Sequence, residues 1–289
     1  MFLVAGNPTI DYVNGVRRPG GFVFYASIAL RLLGERVGVI GCIGVDYPIE
    51  YLEFLENKGI DLFLTRTCSS STIFRLEYYN DTRILRLESP GGKIELAGRL
   101  TRIRGYNALL LGPVAGELGV EDIVYAKRHS DGVVVEVQGF IRRFTRTGEI
   151  VYEWSNDFIE SLRNVMLVHL SEDEARVLGE PEETVIYLSK YARIVALTMG
   201  SRGSLIGYDN DLYHIGVPRI YEGDPTGAGD TYTAVLAAYL SRGVEPVEAA
   251  KYATIAAGLK ILRSTATSKW FNRAELEELV ETVEVERIH

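Results

Sequence analysis

EGDPTGAGDTYTAVLAAYL, residues 222–240, sets two glycines around one alanine, a carboxylate on either side, and then a largely apolar run. Pro225 fixes one backbone angle, while Gly227 and Gly229 free two others. The chain can therefore turn sharply into a helix whose first amides point outward. The free N–H groups and dipole of such a helix start suit phosphate oxygens. Small side chains at 227, 228 and 229 let a ligand approach the backbone, and Thr226 adds a hydroxyl donor. Asp230 is the odd member, because a carboxylate repels phosphate. It makes sense beside a neutral hydroxyl about to attack that phosphate, since a carboxylate in hydrogen-bond reach can take the proton as the O–P bond forms. Asp is also a common complement to the positive end of a helix, and the local sequence leaves both roles open.

Outward from this turn, short β-branched runs alternate with helical patterns. The runs are FLVAG near the start, VGVIGCIG from Val37, ALLLGPV from Ala108, GVVVEVQG from Gly132, VMLVHLS from Val165 and IVALTMG from Ile194. Near-continuous apolar strands suit a parallel sheet covered on both faces. Helical patterns fall at 22–34, 48–58, 120–129 and 171–191, and after the glycine turn at 227–242, 246–262 and 273–282. The alternation predicts a doubly wound α/β fold, with a mostly parallel central sheet and helices on both faces, over residues 1–289 as one domain. Residues 60–90 break the rhythm with apolar/polar alternation and a turn at Asn80-Asp81. They read as an antiparallel meander which, with about 10–18, forms a small β-sheet lid.

Composition narrows the partners. Hydrophobic residues make up 47% and charged residues 24%, a globular balance. Thirty-one Lys+Arg against 39 Asp+Glu give a net charge of −8, the wrong sign for general affinity to nucleic acid or anionic lipid. A small-molecule partner is expected, with neither nucleic acid nor membrane. The two cysteines, Cys42 and Cys68, read as structural residues rather than a disulfide framework or a zinc site. The start, MFLVAGNPTIDYV, lacks a basic leader pattern, and no apolar stretch approaches ~18 residues, so a cytoplasmic location is expected. The G-x-G-x-x-G dinucleotide pattern and the lysine P-loop are both missing.

DPTGAGDTY resembles the carboxy-terminal signature of the ribokinase-like carbohydrate kinases, the PfkB family. Other segments resemble that family in order along the chain: GNPTIDYV, GGFVFYASIALRLLG at 20–34, IGCIGVD at 40–46 and TMGSRGS at 198–204. The resemblance implies an ATP- and Mg²⁺-dependent phosphotransferase with an alcohol group as acceptor. It implies Asp230 as base, an anion hole at Gly227, Ala228 and Gly229, and acceptor contacts from Asp11, Gly20 and Gly21. Thr198, Gly200, Gly203, Asp224 and Thr226 are implied on the nucleotide side, and a homodimer through the lid is compatible with it.

Four positions depart from the family pattern. Ser171 stands for Asn in the Asn-x-x-Glu element, with Glu174 retained as the metal-linked acid; the same pair also spells a helix capping box. Pro225 stands for Thr. Tyr25 occupies the place of an acceptor-binding Asn, so the acceptor hydroxyl pattern differs from that of ribose. VEVQGFIRRF, 135–144, resembles the Asp-x-Gln-Gly-Phe-x-Arg segment of archaeal myo-inositol kinases and their relatives, with Glu136 for Asp. There Gln138 would bind acceptor hydroxyls and Arg142 would clamp the transferring phosphate. These features point to phosphorylation of a small polyol or sugar, myo-inositol first. Two alternatives stay open. Phe22, Phe24, Tyr25 and Tyr12 could stack a base in a ribokinase- or nucleoside-kinase-like enzyme, or the chain could be a sugar- or nucleotide-binding regulator without catalysis.

Overall fold

The computed structural model describes residues 1–79, 82–100, 105–218, 222–263 and 269–288. Among these, a ten-stranded sheet runs in the order Val285–Arg287, Asp211–Ile215, Ser204–Tyr208, Ile194–Thr198, Leu167–Ser171, Val133–Glu136, Ala108–Leu111, Phe2–Ala5, Val37–Ile40, Ile60–Asp61. The seven from Ile194–Thr198 to Ile60–Asp61 are parallel, and the three at the other edge add on antiparallel. This is the doubly wound sheet that the apolar runs predict.

Alternate residues of each parallel strand feed two cores. Phe2 and Val4 join the face covered by helices Phe22–Leu32, Ala228–Ser241 and Pro246–Leu262; Leu3 and Ala5 join the face that includes Ile123, Phe158 and Val185. Helix Ala228–Ser241 buries every residue from Thr231 to Tyr239, which is why its sequence is apolar on nearly all sides. It packs between Phe22–Leu32 and Pro246–Leu262. Truncating a fully buried member such as Leu236 to Ala should cost about 2–5 kcal/mol.

Three expectations need correction. The pattern at 171–191 is two helices, Glu172–Ala175 and Pro181–Leu188. The first ends at its Arg176 cap, Gly179 at φ 145° lies in the link between them, and Pro181 sits at the first turn of the second, where its missing N–H costs nothing. The lid is a four-stranded sheet in the order Val16–Gly20, Thr9–Val13, Thr72–Tyr79, Thr82–Pro90. Its middle pair, Thr9–Val13 with Thr72–Tyr79, is parallel rather than part of an antiparallel meander. Residues 60–71 are not in it: Ile60–Asp61 extends the central sheet, and Arg66–Cys68 pairs with Cys42–Gly44. The Asn80-Asp81 turn lies outside the described residues. Third, Cys42 and Cys68 are joined as a disulfide, with Cα atoms 5.8 Å apart. They are 26 residues apart, and it is the parallel pairing of their two short strands that makes them neighbours.

Candidate active site

A cavity of about 900 Å³ opens at the carboxyl ends of the parallel strands, beneath the lid. Ligands of open α/β sheets settle at this edge, where strand ends and helix starts converge. Lid residues Val13, Phe74, Leu76 and Leu85 form its apolar roof.

The glycine turn forms one wall. Gly227 adopts the left-handed conformation (φ 77°) as the residue before helix Ala228–Ser241. A side chain there would also drive a Cβ to 2.2 Å from the Tyr25 ring. Only glycine satisfies both demands. The Ala228 amide is engaged within the turn by the Pro225 carbonyl (3.0 Å), whereas Gly227, Ala228 and Gly229 all border the cavity. Asp230 lies in the helix's first turn, its Oδ1 accepting from Gln138 Nε2 at 3.3 Å.

Beneath Asp230 is a buried charged floor. His169 Nδ1 and Glu136 Oε2 are 2.6 Å apart, and Thr233 Oγ1 donates to the same carboxylate oxygen at 2.9 Å. His169 Nε2 lies 3.3 Å from Thr198 Oγ1. Burial would lower the His169 pKa, but the Glu136 carboxylate, aided by Glu174 and Asp230, outweighs it and raises it. Burial, then the Glu136 charge, pushes the Asp230 carboxyl up to about 7 against the pull of His169, Arg142 and Gln138. A carboxyl titrating near neutrality is one that can receive a proton at working pH.

Arg142 borders the cavity, with one guanidinium nitrogen 3.4 Å from the Val114 carbonyl. Its buried Nε has no partner among the described residues, a donor that an anion in the cavity would satisfy. Glu174 is buried and caps its own short helix, accepting from the Ser171 amide at 2.8 Å. Burial and the Glu136 charge raise its pKa.

Asp11 and Gly21 line the cavity, and Asp11 accepts from Thr9 Oγ1 at 2.6 Å. Gly20 is outside the lining; its lack of a side chain makes room for the Asp11 carboxylate, which a Cβ would meet at 1.9 Å. Thr198, Gly200, Gly203 and Thr226 also border the cavity. Asp224 does not. Its carboxylate accepts from the Thr226 amide at 3.0 Å and faces Arg18 at 3.3 Å. Burial would raise its pKa, but the Thr226 hydrogen bonds and the charges of Lys260 and Arg18 hold it below the usual value. Tyr25 touches the cavity with its ring packed under Gly227 and against Trp270, centroids 5.8 Å apart. The four aromatics do not form one stacking wall. Phe22 borders the cavity, but Phe24 stacks on Phe54 in the core and Tyr12 lies under Arg75.

Sequence reasoning missed His169, a lone histidine in an apolar strand whose partner is 33 residues away. It also missed Glu117, a buried carboxylate that accepts from the amides of Asn7, Val114 and Ala115 and ties two strand ends together. Neither carries a local signature. Among the described residues, no group of three or more His, Cys, Asp or Glu is placed to hold a metal ion by itself, and no helix is long and apolar enough to cross a membrane. Glu174, one of several carboxylates that line the cavity, would suffice for Mg²⁺, which keeps several waters and completes its shell with substrate phosphates.

Residues 152–273 match the family model described as pfkB family carbohydrate kinase. The chain is 28% identical over 289 aligned residues to the bifunctional protein HldE of Coxiella burnetii (strain Dugway 5J108-111), covering 90% of this chain and 56% of that protein. It thus spans about half the length of the HldE relatives it matches. A 139-residue stretch is 30% identical to the inositol 3-kinase of Zea mays, covering 47% of this chain and 35% of that protein. Among solved structures, a pyrophosphate-dependent kinase in the ribokinase family, complexed with a pyrophosphate analog and myo-inositol, superposes with a TM-score of 0.80 at 22% identity. That superposition covers 96% of this chain and 99% of the other, and at this identity it establishes the ribokinase-like fold.

Proposed function

We propose, from the premise that this chain carries a PfkB carbohydrate kinase domain and is a carbohydrate kinase, that it transfers the γ-phosphoryl group of ATP to a hydroxyl of a small polyol or sugar, myo-inositol first. The observation that carries the proposal is the placement of Asp230 on the cavity wall, in the first turn of a helix that starts from the glycine turn, beside Gln138 and above the Glu136–His169 pair, where burial and the Glu136 charge push its carboxyl up to about 7. Asp230 takes the proton of the acceptor hydroxyl as its oxygen bonds to phosphorus and the bond to the leaving diphosphate oxygen breaks. The Gly227 and Gly229 amides, the Ala228 amide being taken by the Pro225 carbonyl, and the Arg142 guanidinium stabilise the charge on the transferred group, and one well-aimed donor of this kind is worth about 10²–10³ in rate. Asp11 and Gln138 hold the other acceptor hydroxyls. The 198–203 turn and Thr226 line the donor side, and Glu174 is the residue that would meet Mg²⁺ through its water shell. When bound, the ion supplies neutralisation of phosphate charge.

Three lines support a polyol. The resemblance around Gln138 and Arg142 is to inositol kinases, the Zea mays relative is named for that acceptor, and the structural neighbour was solved with myo-inositol. The scattered placement of the aromatics gives a nucleoside base no continuous stacking wall, which disfavours that alternative. A regulator that only binds would have no use for Asp230 held near neutrality. A cytoplasmic enzyme that pairs through its lid is compatible with this reading.

The test is donor cleavage dependent on acceptor. Purified protein is incubated with Mg²⁺ and either ATP or inorganic pyrophosphate, the latter because of the neighbour's ligand, against inositols, pentoses, hexoses and nucleosides. Cleavage with myo-inositol is expected. Cleavage with a different acceptor keeps the mechanism and replaces the acceptor; none with any pair would overturn the kinase reading.

A further inference from the structure

Lys260 is completely buried, yet both of its hydrogen-bond acceptors are main-chain carbonyls rather than carboxylates. Its ammonium donates to the Asp224 carbonyl at 3.0 Å and to the Thr226 carbonyl, and it sits 5.3 Å from the centroid of the Tyr25 ring. The charged groups acting on it are Asp224 and Asp230, with Arg18 opposing. Burying an ammonium costs several kcal/mol, so the position calls for a compensating role.

The peptide geometry supplies one. Thr226 C=O and Gly227 N–H belong to a single planar trans unit and point in opposite directions. A carbonyl drawn toward Lys260 therefore aims the Gly227 amide away from it. Gly227 borders the cavity, whereas Lys260 lies behind the turn on helix Pro246–Leu262 and does not reach the cavity. Tyr25 closes the remaining side: its ring fills the space beneath Gly227 and also offers its π system to the ammonium. Two carbonyls and one aromatic ring thus converge on a single cation directly behind the anion-binding turn.

We infer that Lys260 is a positioning residue, an internal cation that draws back the carbonyls of Asp224 and Thr226, aims the Gly227 amide into the cavity and places fixed positive charge behind the bound phosphoryl group. The inference deepens the phosphotransfer reading and rests on it for its rate effects. Its binding effects stand on the anion-binding turn alone. Burial holds the ammonium down to about 8, which leaves it predominantly charged at neutral pH.

The test uses the full chain with Lys260→Ala, which vacates the space between the two carbonyls. Turnover is expected to fall about 10²-fold, with the acceptor KM within about threefold, the signature of a loss felt in the transition state. Potassium, ammonium or methylammonium should restore at least about tenfold of that loss in a saturable way, because a small cation can sit where Nζ was. Tetramethylammonium should not, and the wild type should respond to none of them. Donor affinity by calorimetry, with ATP and separately with pyrophosphate, should fall and recover with the same cations. That arm is readable even if no acceptor supports turnover, so failure of the kinase reading and failure of this inference are told apart. Lys260→Met, neutral and of similar length, should lose turnover to a similar degree and gain nothing from added cations, since its side chain still fills the space. It also serves as the folded variant if the alanine variant does not fold. Turnover and donor affinity within about twofold of wild type in the folded variants would overturn the inference. So would a loss in a folded Lys260→Ala protein that no small cation restores.

Discussion

Glu136, His169 and Glu174 lie in the floor of the cavity at 3%, 2% and 4% exposure, where the charge of Glu136 raises the pKa of both of the others. In the lid Arg75 pairs with Glu88 at 2.8 Å, and Arg86 reaches Glu149 outside it at 3.1 Å, on side chains 42–51% exposed. The distances are similar, and the consequences are not. Exposed pairs contribute about 0–1 kcal/mol because water and salt screen them. Breaking a buried pair strands a charge at a cost of about 3–5 kcal/mol. Distance alone therefore does not rank these contacts; burial does. The floor is where charge sets chemistry, and the lid is where shape covers it.

The largest expected effect is at Asp230, directly above the floor that sets its charge. Asp230→Asn should keep donor binding and lower turnover by roughly 10²–10⁴-fold, the range for a lost general base. Near-normal turnover measured in the same assay would erase the contrast between floor and lid. Arg142→Ala should lower turnover about 10²-fold while acceptor affinity changes little, if the guanidinium acts on the transferring group as proposed. An equal loss in both would make it an acceptor contact instead.

Glu136→Gln sharpens the comparison by changing charge without much change in shape. Glu136 contributes more to raising the Asp230 pKa than His169 does to lowering it, and the variant removes the former while weakening the latter. The acid limb of the pH–rate profile should therefore move to lower pH. A limb that stays in place would remove Glu136 from the electrostatics of the base.

Asp230→Asn should also melt higher than wild type at pH 8. The sign follows from the raised pKa: a carboxyl at about 7 in the fold, against an ordinary value of 3.8, stabilises the fold when protonated and loses that contribution as pH rises through 7. Asn carries no charge to bury, so the variant's advantage, a few degrees, should be present at pH 8 and shrink toward pH 5. Scanning calorimetry at the two pH values checks it. The smallest effect belongs to the lid: Arg75→Ala should shift the melting temperature by no more than about 2 °C. A larger drop would mean that the lid's charges are structural after all.

The sheet and the glycine turn were legible because each rests on local chemistry. Apolar runs such as ALLL and VVVE state their burial directly, and Gly227 answers a backbone need at its own position. The lid was half legible. Thr72, Phe74 and Leu76 alternate with less buried neighbours, so the strand could be read, but its parallel partner, Thr9–Val13, is about 60 residues earlier and nothing in either strand specifies that pairing. The Cys42–Cys68 bond and the Glu136–His169 pair were illegible for the same reason: each depends on which strands become neighbours. Lys260 looked like one more helical lysine, since only the packed turn shows that two carbonyls converge on it.

The most direct test of Asp230 as the base is the pH dependence of acceptor-dependent donor cleavage by the wild-type protein. The expected profile falls as pH drops below about 7, approaching about tenfold per pH unit as Asp230 takes up its proton. A profile flat from pH 8 down to pH 5 would contradict the account, because no group titrating near neutrality would then control the transfer.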